Sequence, residues 1–296
     1  MNDTPDYYYY YDDFVMPRTD AIAYGIVIAV SAAIGSVVYA VVLVAIFGNA
    51  ANRKEPAYRL IFLIGIFDCV QLIINCAVGF FTVFDANLPI TLDTLIGAVL
   101  NIAWYDSLLL AAALSLNRLL IIVFNKADFA RKQGFILSIF LANFFSILFA
   151  ALEFFYPFKY IFVYDNLGYL DLGDGVYYFI GIPLTTDLFV DLANYTLVFD
   201  VAVSLMAFFC IFMYIAHRKG LFYSSQPNMG RSGMSHAERT ITINVVALNG
   251  ASLLFFVYME FIDPALQETA FSDFFFTFAW ILFLFLKPFM TLATNS

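Results

Sequence analysis

Residues 58–83 read YRLIFLIGIFDCVQLIINCAVGFFTV, a run in which Arg59 and Asp68 are the only charged side chains. An α-helix rises about 1.5 Å per residue, so about 20 apolar residues are enough to cross a hydrocarbon core about 30 Å thick. Six further stretches meet the same requirement. We therefore predict seven transmembrane spans, at 21–47, 58–83, 94–124, 134–158, 188–216, 240–262 and 271–292.

The composition of the whole chain agrees with membrane insertion. Its 296 residues are 63% hydrophobic and 12% charged, whereas a soluble domain carries about 25% charged residues. Together with the seven spans, the composition predicts an all-α bundle of seven helices in a lipid bilayer. It argues against the buried helical core of a soluble protein.

The basic residues predict the orientation of the chain. Most of the 14 Lys and Arg residues lie on one set of alternate loops, and such loops face the cytoplasm in membrane proteins. The N-terminus is therefore predicted outside and the C-terminus inside. The basic residues on the predicted inner side are Arg53, Lys54, Arg59, Arg118, Lys126, Arg131, Lys132, Arg218, Lys219, Arg231 and Arg239.

The domain organisation follows from these spans. We expect an acidic, disordered extracellular tail over 1–20, a seven-span domain over 21–292 and a short cytoplasmic end over 293–296. Asn2 begins an Asn-Asp-Thr acceptor pattern for N-glycosylation in that tail. A formal net charge of −9 argues against a nucleic-acid partner. The sequence shows no cluster of Cys, His and carboxylate residues, so we predict no metal or cofactor.

Polar residues within the spans carry the functional information, because each is costly in lipid and needs a partner. Asp68, Gln71 and Asn75 share one face of span 2 by their spacing, and we expect the buried acids to meet Lys287 of span 7. The other polar or aromatic positions of this kind are Asn101, Trp104, Tyr105, Asp106 and Ser107 in span 3, and Asn249, Ser252, Phe256 and Glu260 in span 6.

Two interpretations of these groups stay open. Polar side chains can hold helices together at about 0.6–2 kcal/mol each, and we favour that role for four of the asparagines in the spans. An ion pair that breaks on activation is the alternative for Asp68, Asp106 and Lys287. The role of Asp200 in span 5 is left open. The four asparagines are Asn75, Asn143, Asn244 and Asn249.

Two motifs resemble a known family. The stretches YRLIFLIGIFDCVQ at 58–71 and LSLNRLL at 114–120 are similar to the nematode serpentine chemoreceptors, closest to class T, with class X next. These are rhodopsin-like, seven-helix G-protein-coupled receptors. The resemblance implies a non-enzymatic chemosensory receptor that spans the cell membrane, in particular of a sensory cilium, and that activates a heterotrimeric G protein.

The resemblance also implies roles for individual residues. Asp68 and Ser107 match positions of a sodium-sensitive hub, and Lys287-Pro288 stands where the family has Asn-Pro. Because Lys287 brings a positive charge to that hub, we predict a direct Asp68–Lys287 ion pair in place of sodium. The expected activation switch comprises Asp68, Asp106, Ser107, Lys287 and Pro288.

G-protein coupling is expected at the inner ends of spans 3 and 6. Arg118 matches the arginine that engages the G protein, while Asn117 replaces the acid that usually precedes it. Arg118 is therefore expected to lack its adjacent partner, and Glu238 is an alternative inactive-state lock. The expected coupling residues are Asn117, Arg118, Glu238 and Arg239.

Aromatic residues in the outer halves of the spans predict a pocket for a small, largely apolar ligand. The expected ligand-binding residues are Asn101, Trp104, Tyr105, Tyr195, Phe256, Glu260 and Trp280. Two other classes of protein stay open, a transporter and an intramembrane aspartyl protease. A charged, water-accessible file that links Asp68, Asp106 and Lys287 through both faces would favour a transporter. An intramembrane aspartyl protease would need Asp106 to share a proton with Asp174, which lies in an outer loop.

Overall fold

All seven predicted spans form helices. The computed structural model describes residues 17–50, 52–86, 88–124, 126, 129–154, 160–163, 168–171, 177–179, 182–184, 186–218, 236–266 and 272–295. Within them, seven helices are long and apolar enough to cross a membrane. They are α1 (Arg18–Gly48), α2 (Pro56–Phe84), α3 (Ile90–Ile122), α4 (Phe135–Phe154), α5 (Thr186–Arg218), α6 (His236–Val257) and α7 (Ser272–Asn295).

The start of α1 differs slightly from the prediction. The helix begins at Arg18, directly after Pro17, rather than at residue 21. The Arg18 guanidinium donates hydrogen bonds to the backbone carbonyls of Thr82 at 2.7 Å and Val83 at 2.8 Å. These carbonyls belong to the last turn of α2, where helices lack internal partners for their C=O groups. A side chain of the predicted tail thus satisfies the end of the neighbouring helix.

Helices α1 and α2 approach closely because glycine faces the contact. A Cβ built on Gly79 would lie 2.7 Å from the backbone nitrogen of Ala29 and from the carbonyl oxygen of Gly25. Small residues at helix contacts in membranes allow backbones to pack directly on each other. Helix α3 contacts α2, α4 and α5, and these contacts place α3 at the centre of the bundle.

The surface of the bundle is apolar and its interior contains charge. Val37 is 65% exposed and Val44 is 73% exposed, whereas Asp68, Asp106 and Asp200 are completely buried. This distribution is the reverse of that in a soluble protein and suits helices surrounded by lipid.

Two short hairpins lie in the loop between α4 and α5, and we did not predict them. Strands β1 (Tyr160–Val163) and β2 (Gly168–Asp171) pair antiparallel, as do β3 (Tyr177–Phe179) and β4 (Ile182–Leu184). Their Tyr, Phe, Ile and Val content favours strands, but segments of three or four residues give too little periodicity to recognise. Strand β1 lies against α3 and β2 against α7. This end of the bundle is the predicted outer end.

Candidate functional site

An ion pair between α2 and α7 lies inside the bundle. Lys287 Nζ is 3.1 Å from both Oδ1 and Oδ2 of Asp68. Asp68 is completely buried and Lys287 is 3% exposed. The predicted direct Asp68–Lys287 pair is therefore confirmed.

Helices α1 and α3 supply hydroxyl groups to the same pair. Ser107 Oγ donates to Asp68 Oδ1 at 2.6 Å and accepts from Lys287 Nζ at 3.1 Å. Tyr39 Oη donates to Asp68 Oδ2 at 2.5 Å. A buried pair offsets its desolvation cost only when further hydrogen bonds satisfy its remaining groups. Here α1 and α3 supply these hydrogen bonds to a pair formed by α2 and α7. We call Asp68, Lys287, Ser107 and Tyr39 the ion-pair cluster.

All three donors of the lysine ammonium are engaged. Two are directed at Asp68 and one at Ser107, and an ammonium has three N–H groups. Nζ also lies 4.3 Å from the centroid of the Phe283 ring, within cation–π range. The ammonium thus occupies the position beside Asp68 that a sodium ion would need.

Gln71 connects the ion-pair cluster to aromatic residues nearer the predicted outer end. Its Nε2 donates to the backbone carbonyl of Ala103 at 3.2 Å, and its Oε1 accepts from Trp280 Nε1 at 3.0 Å. Gln71 Nε2 also lies 3.5 Å from Asp68 Oδ1, a long contact. Since Gln71 is fully buried, a movement of the Trp280 indole changes the hydrogen bonding of a residue that contacts Asp68.

The rings around Trp280 pack against one another and connect α3, α6 and α7. We call it the aromatic cluster, and it consists of Trp104, Phe255, Phe276, Trp280 and Phe283. The Trp104 and Trp280 centroids are 5.2 Å apart in an edge-to-face arrangement, and those of Phe255 and Phe283 are 4.8 Å apart. Such pairs add about 0.5–1.5 kcal/mol each beyond area burial. Of the predicted ligand residues, Trp104 and Trp280 belong to this cluster.

Three other predicted ligand residues lie elsewhere. Tyr195 is 62% exposed on the outside of α5. Tyr105 is buried, but it packs against Phe149 of α4 with centroids 5.3 Å apart. Glu260 is exposed because α6 changes to a π-helical turn over Tyr258–Ile262. A π turn holds more residues than an α turn, so the side chains after Val257 point in different directions from those of a continuous α-helix.

The remaining two predicted ligand residues keep their interior positions. Phe256 is partly buried and packs against the core that contains the aromatic cluster. Asn101 is partly buried in the outer part of α3. Both stay predictions as ligand contacts.

Asp106 does not meet the lysine, contrary to our expectation. Neither of its carboxylate oxygens has a hydrogen-bond partner among the described residues. Ser146 of α4 lies beside it, but the Ser146 hydroxyl donates to the carbonyl of Ala142 at 2.8 Å. Consecutive residues of an α-helix point about 100° apart, so when Ser107 faces α2 and α7, Asp106 faces α4. Among the described residues, no charged file joins Asp68, Asp106 and Lys287, so the feature that would favour a transporter is not found in them.

The part of α3 nearer the predicted inner end holds Arg118, which is 2% exposed. Its Nη2 lies 3.4 Å from Asn117 Oδ1, and Asn117 Nδ2 donates to the carbonyl of Ala130 at 2.9 Å. Arg118 thus has no adjacent acid, as expected from the sequence, and contacts the neutral Asn117 instead. Glu238 and Arg239 lie in the first turn of α6, but their side chains are outside the described part of the chain.

The asparagines differ in their roles. Asn249 Nδ2 of α6 donates to Ser115 Oγ of α3 at 2.8 Å, an interhelical bond as predicted. Asn75 and Asn143 instead donate to the carbonyls of Gln71 and Ile139 in their own helices, at 2.9 Å each. Short polar side chains satisfy themselves in this way against the carbonyl four residues earlier. For these two the interpretation as interhelical contacts is wrong.

The motif at Lys287-Pro288 lies within α7, which continues through the proline. Proline donates no backbone hydrogen bond, and Thr291 Oγ1 donates to the carbonyl of Lys287 at 3.0 Å. Tyr39 is the one member of the ion-pair cluster that we did not predict. Its only signal was a hydroxyl-bearing side chain within an apolar span. Asn2 lies outside the described residues.

Seven membrane-spanning helices around a buried ion pair, with an aromatic cluster on one side and a buried arginine on the other, define a seven-helix membrane receptor. A family model described as "Serpentine type 7TM GPCR chemoreceptor Srt" matches residues 6–282. The chain belongs to this serpentine chemoreceptor family, which confirms the class T resemblance; the family is one of receptors and not of enzymes. No curated protein matches the chain.

Proposed function

We propose that this chemosensory receptor binds a small, largely apolar ligand at the aromatic cluster and activates a heterotrimeric G protein at its inner end. The hydrogen bond from Trp280 Nε1 to Gln71 Oε1 carries the proposal. It joins the aromatic cluster to a residue that touches Asp68, so a ligand that moves Trp280 also acts on the ion-pair cluster. Asn101 and Phe256 are proposed as further ligand contacts.

The ion-pair cluster is proposed as the switch between two states. A ligand shifts a conformational equilibrium only through contacts that differ between the states. The Asp68–Lys287 pair ties α2 to α7, and Ser107 ties both to α3. Loosening these contacts frees α7 and α3 to repack. Pro288, one residue from the pair, leaves the helix without one backbone hydrogen bond at this point.

Arg118 is proposed to engage the G protein when the inner ends of α3 and α6 separate. It lines a cavity between α3, α5 and α6, together with Thr242 and Asn249 of α6. An outward movement of α6 would widen that cavity and expose the guanidinium. Asn117, Glu238 and Arg239 are proposed to take part in the same contact.

The test is nucleotide exchange on a G protein by receptor expressed in a heterologous cell, after a screen of small lipophilic compounds finds an agonist. Arg118→Ala is expected to abolish agonist-driven exchange while surface delivery stays normal. Arg53→Ala is the matched control, because Arg53 is an exposed arginine on the same predicted face, and it should keep the response. Normal exchange in Arg118→Ala receptor would contradict the proposed coupling.

The orientation with the N-terminus outside is also a proposal, supported by the basic loops. Epitope tags at Asp3 and after Ser296 test it. In intact cells the first tag should stain and the second should not, whereas permeabilised cells should stain with both. Staining of both tags, or of the C-terminal tag alone, in intact cells would contradict this topology.

A further inference from the structure

A second buried acid, Asp200 of α5, is not used by the proposed switch. It is completely buried, and its Oδ2 has no hydrogen-bond partner among the described residues. Ser204 Oγ, one turn further along α5, lies 3.4 Å from Oδ1. Ser252 of α6, itself 2% exposed, also acts on this carboxyl group.

Among the described residues, the cation that acts on Asp200 is bound to other groups. Lys287 acts on it electrostatically, but all three donors of that ammonium are engaged by Asp68 and Ser107. A buried carboxylate without a cation is so costly that the group takes up a proton instead. Among the described residues, the groups that act on Asp200 from α5 and α6 are the neutral hydroxyls of Ser204 and Ser252.

The other charged groups near this part of the bundle do not compensate Asp200. On α3, Asp106 faces Ser146 of α4 and supplies no positive charge. Arg118 lies toward the inner end of α3 and lines the cavity described above. Among the described residues, Lys287 is thus the cation that acts on Asp200, and its ammonium is bound by Asp68 and Ser107.

A polar route leads from Asp200 to that inner cavity. Ser204 lines the cavity and lies 3.2 Å, Oγ to Oγ, from Ser115, which accepts from Asn249 at 2.8 Å. The cavity offers about 10 Å³, on the order of the space that one water molecule needs. The Ser204 and Ser115 hydroxyls, with one water in the cavity, can relay a proton between Asp200 and the inner side, while the Asn249 amide holds Ser115 in position.

We propose that Asp200, with Ser204 and Ser252, is a proton-binding site loaded from the inner face through Ser115 and Ser204, and that it competes with Asp68 for Lys287; Asn249 holds Ser115 in position. When the carboxylic acid is formed, Lys287 stays with Asp68. When the proton leaves toward the cavity, the O–H bond breaks and a carboxylate remains. That carboxylate attracts Lys287 toward α5 and α6 and weakens its pair with Asp68.

Infrared difference spectroscopy of the purified full-length receptor in lipid nanodiscs tests the site directly. As the buffer is stepped from mildly acidic to mildly alkaline pH, the C=O band of a protonated buried acid should disappear in the wild type. Asp200→Asn should lack this band, whereas Asp106→Asn, which alters the other buried acid without a partner, should keep it. A band unchanged by Asp200→Asn would overturn the proposal.

Further variants and conditions test the same site when Asp200→Asn cannot be studied, and they also test the route of the proton. If Asp200→Asn does not fold, Ser204→Ala and Ser252→Ala should each shift the band, and an unshifted band in both would overturn the proposal. Replacing choline by sodium should leave the band unchanged; its loss would identify a sodium site instead. Asn249→Leu should slow the exchange of the acid proton for deuterium, and a wild-type rate would overturn the inner route. None of these measurements needs a ligand or a G protein, so their failure is separable from failure of the proposed function.

Discussion

The ammonium of Lys287 and the carboxylate of Asp68 lie 3.1 Å apart although 219 positions separate them in the chain. The pair joins the second and the last transmembrane helices. Within a membrane, neither charge has water as an alternative partner. The stability of the bundle and the proposed signalling therefore depend on the same contact.

Removing one member of this pair should destabilise the receptor more than removing both. Asp68→Asn or Lys287→Met alone leaves a buried charge without its partner, at a cost of about 3–5 kcal/mol. The double variant Asp68→Asn/Lys287→Met should recover most of that loss. Thermal unfolding of detergent-solubilised receptor measures the coupling in a double-mutant cycle. Asp85→Asn, which alters an exposed acid, is the control, and additive effects would count against a coupled pair.

The hydrogen bond between Trp280 and Gln71 should be detectable by comparing the two tryptophans of the chain. Trp280→Phe removes the indole donor and leaves a buried Gln71 oxygen without it, which costs about 1–3 kcal/mol. Trp104→Phe makes the same change of ring within the same aromatic cluster without removing that hydrogen bond. We expect a lower melting temperature for Trp280→Phe than for Trp104→Phe. Equal melting temperatures would show that the hydrogen bond contributes nothing.

Sodium should have no specific effect on this receptor. Because the Lys287 ammonium makes the contacts beside Asp68 and Ser107, a sodium ion would meet a positive charge at that place. Melting temperatures in sodium chloride and choline chloride of equal concentration should agree. Lys287→Asn removes the charge and should make the melting temperature depend on sodium. Sodium-dependent stabilisation of the wild type would contradict this view of the site.

The contact between α1 and α2 should not tolerate a methyl group at Gly79. A Cβ there meets backbone atoms of α1 at 2.7 Å, so Gly79→Ala must separate the helices, at about 1–3 kcal/mol. Gly250→Ala is the matched control, since a Cβ at that position meets nothing within 4 Å. Alanine favours a helix over glycine by about 1 kcal/mol, so Gly250→Ala should preserve or raise the melting temperature. Equal effects of the two substitutions would contradict the close approach.

The seven helices were predictable because the thickness of a bilayer sets a minimum apolar length, and every span exceeds it. The Asp68–Lys287 pair was predictable because charges buried in lipid must find each other. The direction of each side chain was harder to predict. Asp106 and Ser107 are neighbours, yet only Ser107 reaches Lys287. Their spacing within one helix does not reveal which of the two faces α7.

The π turn after Val257 is a second feature that could not be predicted from the sequence. Its extra residue changes the direction of Glu260, and the apolar sequence YMEFI gives no signal for it. Tyr39 illustrates a third limit, since a tyrosine in an apolar span fits a lipid-facing position as well as a buried one. Its role depends on the packing of α1 against α2, which places its hydroxyl at Asp68.

The most direct test of the proposed switch is the basal rate of nucleotide exchange that purified receptor drives on a G protein without ligand. The Asp68→Asn/Lys287→Met receptor keeps the charge balance and lacks the ion pair. If the pair holds the inactive state, its loss should raise the basal rate by about 5- to 150-fold, which corresponds to a coupling of about 1–3 kcal/mol. A wild-type basal rate in a double variant that folds normally would contradict the account.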